Sequence, residues 1–144
     1  MSDPPVDPRG VRFAAAVTTV VLALVLVTGS AWLLAAQVAV FAFGAFAGLR
    51  FAPYSVVFRL LVAPRIGPGT AREDAAPARF SQAVGFVFAA VGLIGYATGV
   101  TALGIAATAL ALAAAFLNAA FGLCLGCEVF LLVRRVAPAA QQHP

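Results

Sequence analysis

Charge is what this chain has least of. Asp, Glu, Lys and Arg make up only 10% of its 144 residues, against about a quarter in ordinary soluble domains. Lysine is absent, so the net charge of +4 comes from arginine alone. The arginines stand in three places: Arg9 and Arg12, the segment from Arg50 to Arg79, and Arg134 with Arg135. Between them, residues 13–49 and 80–133 hold one residue charged at neutral pH, Glu128. A water-soluble fold puts charge on every outer face, and runs this long leave no such face. A lipid bilayer is the solvent that accepts them.

Other absences narrow the function. There is no glycine-rich phosphate loop, no Ser/His or Cys/His pairing, and no pair of carboxylates inside the apolar runs. These gaps argue against hydrolases and nucleotide-driven transport. No nucleic-acid-binding module is present; the arginines flank apolar runs, which is the pattern of membrane orientation and headgroup contact. Residues 1–10 carry Asp3, Asp7 and three prolines. With no basic leader and no small-residue cleavage site before Thr28, the first apolar run is expected to stay in the mature protein.

What fills the chain is apolar, 63% of it. Residues 13–49 are too many for one crossing of a ~30 Å hydrocarbon core at ~1.5 Å per residue. Gly29-Ser30 interrupts them, with Trp32 placed as an interfacial aromatic. The expected spans are 13–28, 31–48, 80–97 and 101–122, the last continuing as helix to 133. Residues 1–12 and 135–144 form tails and 50–79 a central loop. The tails and this loop hold every Arg, while the turns near Gly29 and Gly99 hold none. An even number of spans puts all the arginines on one side, cytoplasmic by the positive-inside rule. The expectation is an all-α, four-helix integral membrane bundle, multi-pass in the plasma membrane, with both termini cytoplasmic and lipid as its surroundings. Residues 54–62, between Pro53 and Pro64, predict a short interfacial helix. Residues 64–77, with Glu73 and Asp74, predict a polar loop.

Cys124 and Cys127 are the only cysteines and form Cys-Leu-Gly-Cys. About twenty helical residues from Thr101 use up the bilayer core, so the pair falls at the cytoplasmic boundary, where lasting structural disulfides are disfavoured. On a continuous helix Cys124, Cys127 and Glu128 share a face with Phe121 and Leu131. Three functional readings compete. The thiols form a reversible dithiol, exchanging with a soluble thioredoxin-like partner or carrying a sulfane sulfur, and Gly122 and Gly126 could break the helix to supply a thiolate-favouring N-terminus. Against this, apolar surroundings and Glu128 disfavour a thiolate. Alternatively Cys124, Cys127 and Glu128 bind a soft metal, but they are too few for a closed zinc site and His143 lies in a tail. Thirdly, Glu128 carries a proton or ion across the membrane. The bland reading makes Gly122 and Gly126 a packing seam, the cysteines small apolar fillers, and Glu128 a partner of Arg12 or Arg79.

Gly44/Gly48 and Gly95/Gly99 repeat the small-residue spacing. Asn118 and Gln37 are expected to make interhelical hydrogen bonds. Arg50, Arg59, Arg65, Arg72 and Arg79 either cradle an anion or hold the inner leaflet.

Four blocks together carry a resemblance: Val6-Asp7-Pro8-Arg9-Gly10-Val11-Arg12-Phe13, Pro53-Tyr54-Ser55, Ala76-Pro77-Ala78-Arg79-Phe80, and Leu117-Asn118 through Gly122-Leu123-Cys124-Leu125-Gly126-Cys127. In that order they resemble the bacterial integral-membrane family called domain of unknown function 4395. The likeness runs from about Val6 to Arg134, and Gly-x-Cys-Leu-Gly-Cys is its most specific block. Many members carry Lys and Tyr where this chain has Glu128 and Phe130, and often Glu in place of Asn118, so the two cysteines are the positions that fit the family pattern. The resemblance implies an association with thioredoxin-like and sulfurtransferase-like proteins, hence redox or sulfur-transfer chemistry at Cys124 and Cys127. No cofactor, substrate or oligomeric state follows from it.

Overall fold

A computed structural model describes residues 7–49, 52–67 and 75–136. Among these residues the fold is all-helical. Helix α1 (Pro8–Thr28) opens with Asp7 as N-cap, whose carboxylate accepts from the Arg9 N–H at 2.9 Å, and with Pro8 in the first turn. Both choices suit a helix start, where one backbone donor needs a cap and another can be dispensed with. Gly29 ends α1 in the left-handed conformation, its N–H donating to the Val25 carbonyl. Ser30 then caps α2 (Ala31–Ala42) by accepting from the Leu33 N–H at 3.1 Å. The expected break at Gly29-Ser30 is thus a tight turn in which one residue stops a helix and the next starts another.

Helix α2 passes without interruption into a π-turn, Phe43–Ala47. The wider turn leaves carbonyls unclaimed by the normal helical ladder. The Arg79 guanidinium takes two of them, donating to the Ala45 oxygen at 2.8 Å and the Phe46 oxygen at 3.0 Å.

The central segment holds α3 (Pro53–Val57), a second π-turn (Phe58–Val62) and α4 (Ala63–Ile66) in one helical run. Pro64 lacks an N–H, and the run accommodates it immediately after the widened turn, where Ala63 donates five residues back to Phe58. Residues 64–66 were expected in a polar loop and are helical instead; an early helical proline is tolerated there. At the other side of this loop α5 (Ala75–Thr98) begins before Phe80, so 75–79 are also helix rather than loop. Arg50, Arg72, Glu73 and Asp74 lie outside the described residues.

After the turn at Gly99, α6 (Thr101–Phe121) runs back along α5. It does not continue to 133. Gly122 adopts φ +71°, and its N–H returns to the Asn118 carbonyl at 2.9 Å, closing the helix with a left-handed cap. A separate helix, α7 (Leu125–Val136), follows. The face expected to join Cys124, Cys127 and Glu128 with Phe121 and Leu131 is therefore cut at Gly122, and only Cys127, Glu128 and Leu131 share it within α7.

Helices α1, α6, α5 and α2 pack in that cyclic order, with α7 and α3 flanking one end. Three of them, α1, α5 and α6, are long and apolar enough to cross a membrane, while Ala31–Ala47 is a shorter apolar helix. The core is thin: Leu22, Val25, Leu34, Phe41, Ala89 and Ala111. Large apolar side chains face outward instead, Val27 at 82% and Phe46 at 67% exposure among them. Such a surface suits lipid, in which helices associate by close packing and not by burying oil from water.

Close packing is visible at Gly95, where a Cβ would stand 2.5 Å from the backbone nitrogen of Gly104 on α6. Gly95 packs while Gly99, at φ +89°, turns; likewise Gly44 meets Gln82 while Gly48 turns. Each spaced pair thus divides its work and is not a two-glycine seam. Gln37 is fully buried and accepts a 2.7 Å hydrogen bond from the Tyr54 hydroxyl, the interhelical contact expected of it. Burial raises the Tyr54 pKa, keeping the phenol a neutral donor.

Gly95→Leu should destabilise the bundle by about 1–3 kcal/mol, read as a lower thermal unfolding midpoint in detergent. Val27→Leu on the outer face should leave the midpoint unchanged. Equal midpoints for the two variants would contradict the α5–α6 contact.

Candidate functional site

The break between α6 and α7 builds the site. Once Gly122 has closed α6, the chain needs a residue to open α7, and Cys124 does so. Its carbonyl accepts from the Glu128 N–H at 3.0 Å, and its Sγ accepts from the Cys127 N–H at 3.2 Å. Cys124 is therefore an N-cap that uses sulfur where Ser or Asp would use oxygen. The same turn sets Cys124 and Cys127 with Cα atoms 5.1 Å apart and their sulfurs joined as a disulfide. This separation is ordinary for a bridge.

The two cysteines have different surroundings. Cys127 packs against the small buried cluster of Leu49 and Ala78. Cys124 lines a cavity of about 850 Å³ between the helices. Between them Gly126 lets α7 approach α5: a Cβ there would lie 2.7 Å from the Ser81 Cα. Further along, Phe130 packs on Phe80 with ring centroids 5.5 Å apart, and the Arg134 guanidinium lies 5.4 Å from the Phe130 ring centroid.

Arg12 supports the break from the other side. Its guanidinium donates to the Ala119 carbonyl at 3.0 Å and the Ala120 carbonyl at 3.5 Å, where α6 ends. A cation at this point also opposes the negative end of the helix dipole. Arg12 and Arg79 thus reach helix-end carbonyls, not the carboxylate of Glu128 that was expected to pair with one of them. Glu128 is exposed in the first turn of α7, and Arg134 and Arg135 occupy its last turn, an arrangement the dipole favours at both ends.

The remaining residues singled out in the sequence separate as well. Arg59 lines the cavity, whereas Arg65 turns back to the Leu61 carbonyl at 3.2 Å. Asn118 lines the cavity, and among the described residues its amide has no hydrogen-bond partner, contrary to the interhelical bond expected of it. No group of three His, Cys, Asp or Glu side chains gathers among the described residues, and His143 lies outside them. Ser81, Gln82 and Arg9 also line the cavity and were not singled out. A signal for the first two was present: they are adjacent polar residues at the start of an otherwise apolar run.

A family model described as Domain of unknown function (DUF4395) matches residues 6–135, so the chain belongs to that family. No curated protein and no solved structure matches the chain.

Gly126→Val should push α7 off α5 and uncover Cys127. In the reduced protein, maleimide should then modify Cys127 several times faster than in the parent, measured by mass spectrometry of the labelled peptide. An unchanged rate would show that the Ser81 contact does not hold the second cysteine.

Proposed function

We infer that this member of the domain of unknown function 4395 family is a four-span membrane protein whose Cys124–Cys127 pair exchanges disulfides with a soluble thioredoxin-like protein. At ~1.5 Å per residue the shorter helix, Ala31–Ala47, reaches about 25 Å, enough to serve as the fourth span with modest local thinning of the bilayer. Helices α1 and α5 begin, and α2 and α6 end, at the end where the described arginines gather. The opposite end has the turns at Gly29-Ser30 and Gly99, with Trp32 88% exposed beside the first. By the positive-inside rule the arginine end is cytoplasmic, which puts both termini and the cysteines there, in the plasma membrane. Helix α3 and its π-turn, with Leu60 and Leu61 exposed, then lie in the inner interface.

The observation that supports the chemistry best is Cys124 at the N-cap of α7. Helix N-termini favour a thiolate over a thiol, and the Cys127 N–H at 3.2 Å donates to the sulfur that would carry the charge. Cys124, on the cavity wall, is the attacking residue, and Cys127, packed beside Ala78, the resolving one. In the reduced protein the Cys124 thiolate attacks a partner's disulfide. One S–S bond breaks, a mixed disulfide forms, and the partner's other sulfur leaves as thiolate. The Cys127 thiolate then displaces the second partner sulfur, leaving the Cys124–Cys127 bridge and a reduced partner. Run backwards, the same steps oxidise a reduced partner. Sulfur transfer would use Cys124 in the same role, with a sulfane sulfur as the group attacked.

One observation favours a non-catalytic scaffold: Gly126 and Cys127 do pack, against Ser81 and the Leu49–Ala78 cluster. The two readings part on Cys124, whose capping of α7 a serine would serve as well, whereas disulfide exchange requires its sulfur. The exposed position of Glu128 in α7 gives a Glu128 carrier no path between the spans.

Cys127→Ser, keeping Cys124, should trap a purified thioredoxin-type protein as a mixed disulfide, and Cys124→Ser should not. Iodoacetamide alkylation across pH should place the Cys124 thiol below the ~8.5 of free cysteine. If neither variant traps the partner and Cys124 titrates as free cysteine, the scaffold reading stands.

A further inference from the structure

We propose that the cavity beside Cys124 binds a membrane quinone, which takes up the electrons that the cysteine pair gives when it closes its disulfide. This assignment rests on the thiol-exchange role of the pair and names its membrane-side reactant.

The cavity, about 850 Å³, lies between α1, α5 and α6 and is two-sided in chemistry. One part is walled by Phe41, Phe88, Leu110 and Ala111, apolar and at the level of the spans. The other part, at the arginine end, is walled by Arg59, Ser81, Gln82, Asn118 and Cys124, with Arg9 held in an ion pair by Asp7 at 2.7 Å. The side chains of Ser81, Gln82 and Asn118 make no hydrogen bond to the described residues. All three are partly buried, and they give this part of the wall hydrogen-bonding groups that the head of a ligand can use. The volume falls within the usual range for small-molecule and cofactor sites, about 300–1,000 Å³.

The ligand must therefore combine an apolar tail with a head that accepts hydrogen bonds. It must also have a reason to meet a redox-active sulfur. A phospholipid meets the first requirement, and its phosphate would suit Arg59, but it has no reaction with a thiol. A quinone meets both. Its two carbonyl oxygens accept from amide and hydroxyl donors such as Asn118, Gln82 and Ser81, and the Arg59 guanidinium stabilises the anion formed as electrons arrive.

The step balances without a further reactant. Cys124 and Cys127 lose two protons and two electrons, and the S–S bond forms between them. The two quinone oxygens take up both electrons and both protons, giving the quinol. A soluble dithiol protein then resets the pair by disulfide exchange, so electrons pass from that protein to the membrane pool.

The test uses the full-length protein in detergent with a radiolabelled short-chain naphthoquinone. Equilibrium dialysis should give saturable binding at one site per chain, retained in Cys124→Ser and weakened about tenfold or more by Ala114→Trp, which fills the cavity. Asn118→Leu should weaken it while leaving the unfolding midpoint near the parent value. The reduced protein, without oxygen, should convert one quinone to quinol for each disulfide formed, and Cys124→Ser should convert none. Binding that survives Ala114→Trp, or that phosphatidylglycerol displaces as well as unlabelled quinone does, overturns the assignment. So does tight binding without quinol formation by the reduced protein, and in that case successful trapping of the soluble partner would leave the exchange role intact. Quinol formation alongside failed trapping would uphold the quinone site and remove the soluble partner.

Discussion

The fold depends on how apolar helices are allowed to end. In a chain with so few polar side chains, the carbonyls at a helix C-terminus are the largest unsatisfied polar groups, and hydrocarbon offers them nothing. Two arginines answer that need. Arg79 reaches the Ala45 and Phe46 carbonyls at the π-turn closing α2, and Arg12 reaches Ala119 and Ala120 at the close of α6. Each is the fifth residue of an antiparallel neighbour, Arg79 in α5 and Arg12 in α1. Each guanidinium therefore joins the start of one helix to the finish of another. At the far end of the bundle Gly29-Ser30 and Gly99 close the helices through backbone geometry, and no charge is required.

The chemistry follows from the same constraint. Because Arg12 holds the end of α6, the chain can break at Gly122 and begin again three residues later. A new helix needs a cap, and the residue in that position is a cysteine whose partner stands one turn along. The cysteine pair thus owes its position to a helix break that Arg12 and Gly122 make together. Gly126 completes the arrangement by letting α7 lie against Ser81, which seats Cys127 and leaves Cys124 on the cavity wall.

Much of this was legible in the residues. Long uncharged runs, the Gly29-Ser30 interruption and the grouping of arginines give the helix order, because charge placement and chain reversal are local properties. The helical run around residues 54–62 could be read from the prolines that bound it. Its extension to Ile66 could not, since Pro64 usually stops a helix and here follows a π-turn that absorbs it. Nor could the break at Gly122 be chosen in advance: glycine is tolerated inside membrane helices, and the Arg12 that binds the freed carbonyls lies more than a hundred residues away in the chain. The cavity was the least accessible feature. Its wall is assembled from small residues such as Gly10 and Ala14 on α1, Gly85 on α5 and Ala115 on α6, and no local pattern records the space they leave.

Orientation ties these parts together, because a cysteine pair beside the arginines can serve a cytoplasmic partner only if that end faces inward. The direct measurement is labelling of reduced Cys124, in a Cys127→Ser background, with a membrane-impermeant maleimide applied to sealed vesicles of both orientations. Labelling should occur in inside-out vesicles and be absent from right-side-out ones until detergent is added. Labelling from the outer face, or recovery of the chain in the soluble fraction, would contradict the membrane arrangement on which the assigned chemistry stands.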